Sequence, residues 1–140
     1  MKLISHRGNI SGRQPANENK PSYINDALSR GYEVEIDVWY KNGFWLGHDN
    51  PIYKISIDFL LQPKLWCHAK NIEALYEMQK NEVHCFWHQE DDVTLTSKGY
   101  LWTYPGKKLT PSSVWVKPPN NIEIKQDIVG ICSDYLENYK

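Results

Sequence analysis

Acidic, basic and imidazole side chains recur at one kind of place in this sequence, at or just beyond the end of a short apolar run. His6 and Arg7 follow residues 3–5, Glu35 and Asp37 close 34–38, and His48 and Asp49 follow 44–47. His68 and Lys70 follow 65–67, His88 ends 85–87, Lys117 follows 114–116, and Asp134 follows 130–132. Four of the five histidines obey this rule, which a random scatter would not produce. In Glu33-Val34-Glu35-Ile36-Asp37-Val38 the alternation is strict, so the three acids share one face of a strand and the three aliphatics the other. A solvated edge strand gives the same pattern. Where such a face points into a core, neighbouring carboxylates require a cation between them. Glu35 and Asp37 are therefore candidate ligands for a divalent metal, with Glu33 at the strand start a more distant one.

The runs that carry these residues read as strands, being short and rich in β-branched and aromatic side chains. With 100–103 there are eight: 3–5, 34–38, 44–47, 65–67, 85–87, 100–103, 114–116 and 130–132. Two segments carry a helical period. In the first, Asn19 is a candidate N-cap, Pro21 sits in the first turn, Ile24, Ala27 and Leu28 share a face, and Gly31 stops the helix. The second spans 71–79, with Ile72, Leu75, Tyr76 and Met78 as its apolar positions. Shorter candidates are 57–61, halted by Pro63, and 133–138, while 94–98 and 107–113 read as turns. Eight strands with chemistry at one end predict an α/β fold, a shortened (β/α)8 TIM barrel with several outer helices reduced to turns or loops, its site on the rim at the strands' C-terminal ends. No repeat or linker divides the chain, so residues 1–140 are read as a single domain.

An ordered set of short motifs then resembles one family, the glycerophosphodiester phosphodiesterases. They are His6-Arg7-Gly8, Glu18-Asn19, Glu35-Ile36-Asp37, Gly47-His48-Asp49, Trp102-Thr103 and Gly130-Ile131-Cys132-Ser133-Asp134, and they run the length of the chain. The resemblance implies a metal-dependent hydrolase of small phosphodiesters in which His6 and His48 are general base and general acid. It implies that Arg7 binds the phosphate, that Glu18 orients the His6-Arg7 pair from the start of the first helix, and that Lys70 and Trp102 line the substrate pocket. One divalent ion, Mg2+ or Ca2+, would sit on Glu35 and Asp37. The chain departs from the family where Cys67-His68-Ala69-Lys70 places His68 in the position of a third carboxylate. An imidazole ligand there shifts the metal toward Mn2+, Fe2+ or Zn2+. Two alternatives accompany this reading: a catalytically silent phosphate- and metal-binding module, and a related phosphodiesterase resembling the phospholipases C or D.

The remaining features set bounds. Sixteen basic and seventeen acidic side chains give a net charge of −1, so no overall field draws the chain to nucleic acid, and the expected partner is a small-molecule phosphodiester. Cys67, Cys85 and Cys132 lie in apolar runs and read as reduced core residues. Without a membrane-length apolar stretch or a leader-like segment, the expectation is a soluble, cytoplasmic protein. His84, the acidic 90–92 run and the tryptophans other than Trp102 read as structural or solvated, and His88 as a further ligand or a substrate contact. Trimmed outer helices would leave strand faces near Trp115 and Val116 uncovered, which predicts a homodimer.

Overall fold

The computed structural model describes residues 1–139. All eight expected runs are strands: β1 (Lys2–His6), β2 (Glu33–Tyr40), β3 (Phe44–Leu46), β5 (Leu65–Ala69), β6 (Cys85–Phe86), β8 (Leu101–Thr103), β9 (Ser113–Val116) and β10 (Gly130–Ser133). Two further strands, β4 (Tyr53–Ile55) and β7 (Val93–Leu95), complete one mixed ten-stranded sheet. The helices are α1 (Pro21–Ser29), α2 (Ile57–Leu60) and α3 (Ile72–Lys80), followed by a 3-10 turn at Leu136–Tyr139.

The expected eight-stranded (β/α)8 barrel is not formed. Parallel ladders connect the strands in the order β6-β5-β2-β1-β10-β9-β8, but β3 and β4 pair antiparallel in a meander beside β2, β7 pairs antiparallel with β8, and among the described residues no ladder joins β6 to β8. Each departure has a local cause. Only Lys41-Asn42-Gly43 separates β2 from β3, too short for a parallel crossover, and the positive φ values of Asn42 (51°) and Gly43 (121°) make a hairpin turn. The free edge of β6 is satisfied by a loop: Ser97 donates its backbone N–H to the Cys85 carbonyl (2.8 Å), and the Ser97 hydroxyl accepts the Cys85 N–H (2.9 Å).

The open sheet nonetheless curls, because its inward side chains must bury one another. Ile4, Trp66, Phe86, Trp102, Val114, Val116 and Cys132 form one buried cluster drawn from six strands, and Phe86 on β6 reaches Trp102 on β8 at 4.9 Å between ring centroids. The outer face packs Val34, Ile36, Val38, Cys67, Ala69 and Ile131 against Ile24 and Ala27 of α1 and Ala74 and Met78 of α3. Each fully buried aliphatic here contributes about 1.5–3 kcal/mol.

The helix punctuation was mostly legible. Pro21 opens α1 and Gly31 (φ 91°) follows its end, while the Asn71 side chain caps α3 by accepting the Ala74 N–H. Asn19 is not the cap of α1: Lys20 holds that position without a side-chain bond. Of the apolar positions expected in α3, Ile72 and Tyr76 face solvent. The uncovered face expected near Trp115 and Val116 is also absent. Val116 is buried, and Trp115 packs against the outer core together with Ile124 and Ile128 from the irregular segment before β10. That removes the ground for the expected homodimer. The three cysteines are buried and free. No helix among the described residues is long and apolar enough to cross a membrane.

Candidate metal centre

Strand β2 sets the centre of the site. Its outward residues Val34, Ile36 and Val38 are held in the core, which turns Glu35 and Asp37 to the inner face, 3% and 0% exposed. Parallel pairing places His68 of β5 directly beside Asp37. One side-chain donor atom from each of Glu35, Asp37 and His68 falls within a mutual 4.8 Å. His68 Nδ1 lies 3.4 Å from Asp37 Oδ1 and 3.8 Å from Glu35 Oε2.

Two observations fit this cluster to a cation. First, His68 Nε2 donates to the His88 carbonyl (3.1 Å), which fixes the ring so that Nδ1 faces the carboxylates, the usual way a protein orients a ligating imidazole. Secondly, Glu35 Oε1 and Asp37 Oδ1 are buried without a hydrogen-bond partner, an expensive arrangement that a metal would relieve. Electrostatics divides the pair. Burial, reinforced by the charge on Asp37, pushes the Glu35 carboxyl well above its ordinary range. Burial also works against charge on Asp37, but His68, Arg7 and Asn19 outweigh it and hold that carboxyl below the ordinary range.

Asp37 uses its other oxygen as a structural anchor. Oδ2 accepts from Asn19 Nδ2 (2.9 Å) and pairs with Arg7 Nε (3.0 Å), while Asn19 Oδ1 accepts the Asp37 backbone N–H (2.9 Å). Asn19 (φ 65°) and Arg7 (φ 61°) both adopt the left-handed backbone region to do this, and Gly8 follows at φ 98° where an added Cβ would collide with the Tyr23 ring. Arg7 Nη1 donates to Glu18 Oε1 (3.1 Å), so the guanidinium is held on two sides by carboxylates. Glu18 lies in the turns before α1 rather than on the helix, and among the described residues it bonds Arg7, Arg13 and Asn9, not His6.

His6, at the end of β1, is oriented by a residue of the last strand's end. Its Nδ1–H donates to Asp134 Oδ1 (2.8 Å), and its Nε2 faces Glu35 Oε1 at 3.9 Å. Burial disfavours charge on Asp134, but the bonds from His6 and Asn9 keep its carboxyl below the ordinary range. His48 reaches the same cleft by a different route from the one expected. The hairpin returns β3 antiparallel to β2, and Gly47 N–H bonds to the Asp37 carbonyl (3.1 Å), bringing His48 back to the level of the acids. An added Cβ at Gly47 (φ 152°) would collide with the Asn50 carbonyl. His48 stays largely exposed and donates Nδ1–H to Asp49 (2.7 Å).

A cleft of about 390 Å³ gathers His6, Arg7, Glu35, His48, His68, Lys70 and Trp102, so eight of the nine expected site residues line it or, as Asp37 does, back onto it. Glu18 lines an adjoining cleft of about 520 Å³. Residues not assigned a role from sequence complete the arrangement. Asn9, fully buried, ties Glu18 to Asp134 by sharing its Nδ2 between them (2.9 Å each). Tyr104 stacks on His88 with centroids 3.7 Å apart, and both line the first cleft. No motif in the sequence marks Asn9 or Tyr104. Asp134 and Lys117 were visible as polar strand ends, without a function.

No family model matches the chain, and neither does any curated protein or solved structure. The likeness to glycerophosphodiester phosphodiesterases thus rests on the motifs alone.

Proposed function

We propose that this chain is a metal-dependent phosphodiester hydrolase acting on a glycerophosphodiester or a similar small phosphodiester. One observation carries the reading: Glu35, Asp37 and His68 converge with unpaired, buried carboxylate oxygens in a cleft that also holds His6, Arg7 and His48. These three residues would hold a divalent ion, which would supply positive charge to offset that of a phosphodiester. Mg2+ or Ca2+ follows from the family resemblance, and Mn2+ or Zn2+ from the imidazole of His68.

The protein's own groups supply the proton transfers and the positioning. Asp134 fixes His6 by its Nδ1 and leaves Nε2 to take a proton from the attacking water or substrate hydroxyl. His48, at the mouth of both clefts, returns a proton to the leaving oxygen. Lys70 and Trp102 wall the substrate cleft. A second reading, a phosphate- and metal-binding module without turnover, draws on the exposure of His48 and its engagement with Asp49.

Hydrolysis of bis(p-nitrophenyl) phosphate and of a panel of glycerophosphodiesters, after chelation and separate return of Mg2+, Ca2+, Mn2+ and Zn2+, tests the two. Metal-dependent turnover lost in His6→Ala supports the hydrolase. Metal binding without turnover of any diester supports the silent module.

A further inference from the structure

The two clefts meet along a seam shared by four residues: His6, Arg7, His48 and Lys117. A phosphodiester has one anionic phosphorus and two substituents, so two hollows joined at one seam suit it, with the phosphate at the junction. The seam must then supply cationic charge. Arg7 supplies little of it, because its Nε is paired with Asp37 and its Nη1 with Glu18, leaving only Nη2 uncommitted. A guanidinium held on two sides cannot offer its planar fork to two phosphate oxygens. Lys70 lines only the first cleft.

Lys117 differs from both. Among the described residues it makes no ion pair, and its charge acts on Asp134, the partner of His6. Its backbone lies at φ 51°, a region that an L-residue occupies only when its surroundings demand it, and it precedes Pro118, which narrows its choices further. A short bond from its N–H to the Cys132 carbonyl (2.7 Å) holds that conformation at the end of β9. Unusual backbone geometry at a cleft points from an observed outlier to a function. Here it sets an exposed lysine with no ion pair among the described residues on the wall of both hollows.

Resting on the hydrolase reading for its substrate, we propose that Lys117 is the principal phosphate-binding side chain of the seam, while Arg7 mainly positions Asp37. Loss of one charge-assisted contact weakens binding by about 10- to 100-fold. Steady-state hydrolysis of bis(p-nitrophenyl) phosphate by the intact, metal-loaded chain should therefore show KM raised by about that factor in Lys117→Gln, with kcat changed far less, and Lys117→Arg should recover most of the loss. Titration of dimethyl phosphate into the metal-free chain, followed by calorimetry, should show the same loss of affinity. Lys117→Gly, which suits the backbone conformation and lacks the ammonium, should be at least as stable as the native chain and bind as weakly as the glutamine variant. If wild type turns over no diester with any metal, yet dimethyl phosphate binding still depends on Lys117, the hydrolase reading fails and the assignment of Lys117 stands. If KM and dimethyl phosphate affinity in Lys117→Gln both stay within about twofold of wild type, the assignment is overturned.

Discussion

Asp37 and His68 each divide their atoms between two tasks, and this division makes the centre testable. Asp37 anchors Arg7 and Asn19 with Oδ2 and turns Oδ1 toward His68. Asp37→Ala should therefore abolish metal binding and also destabilise the fold by about 3–5 kcal/mol, because Arg7 is left buried and short of a partner. His6→Ala removes the proposed proton acceptor, which lies outside the ligand set, so kcat should fall by roughly 10²–10⁴-fold with metal affinity nearly unchanged. The His68→Glu substitution supplies the third carboxylate and should raise affinity for Mg2+ or Ca2+ relative to Mn2+ or Zn2+, as read by competitive metal titration. An unaltered preference would remove His68 from the ligand set.

Asn71 shows how one side chain can join elements. Its Oδ1 accepts the Ala74 N–H at the start of α3 and also the Tyr40 N–H at the end of β2, while its Nδ2 donates to the Tyr40 carbonyl. Asn71→Ala loses a cap worth about 1 kcal/mol and strips two partners from the end of β2, so denaturant unfolding should show a loss of about 2–4 kcal/mol. Asn71→Asp, which keeps the acceptor, should lose less. The start of α3 at Asn71 was legible because a capping side chain acts on its own helix. Its hold on β2 was not, since nothing local records a bond between residues 31 positions apart. The same holds for Asn19, which reads as a cap but is used on Asp37, 18 residues away. Asn42-Gly43 is a hairpin signal that goes unread when the apolar run after it counts as one of eight parallel strands whose number suggests closure. Whether a sheet closes depends on what meets the edge of β6, and there the Ser97 loop wins over a strand.

The curled, open sheet separates two ends with different chemistry, and the end away from the candidate metal centre makes its own contribution to the pH dependence of stability. His84 is buried between Trp66 and Thr96, with Nε2 2.9 Å from the Thr96 hydroxyl oxygen, and burial, aided by Lys98, lowers its pKa to about 4. The unfolded chain takes up this proton near pH 6.5, whereas the folded chain resists until about 4, so stability must fall as the pH drops through that window. Thermal unfolding should show a Tm lower by roughly 3–5 °C at pH 5 than at pH 7 from this group, a slope that His84→Gln should flatten. Asp37 acts in a lower window: its depressed carboxyl stabilises the fold above about pH 4 and is lost only under stronger acid. A slope between pH 7 and 5 unchanged in His84→Gln would assign it elsewhere.

Under the proposed function, a divalent ion on Glu35, Asp37 and His68 would make this cleft hydrolytic. The most direct measurement follows bis(p-nitrophenyl) phosphate hydrolysis while Mn2+ is titrated into the chelated protein, with Asp37→Asn in parallel. Turnover that is absent after chelation, returns along a single-site curve and is missing in Asp37→Asn is the predicted result; turnover undiminished by chelation, or no turnover with Mn2+ or any other divalent ion, would contradict it.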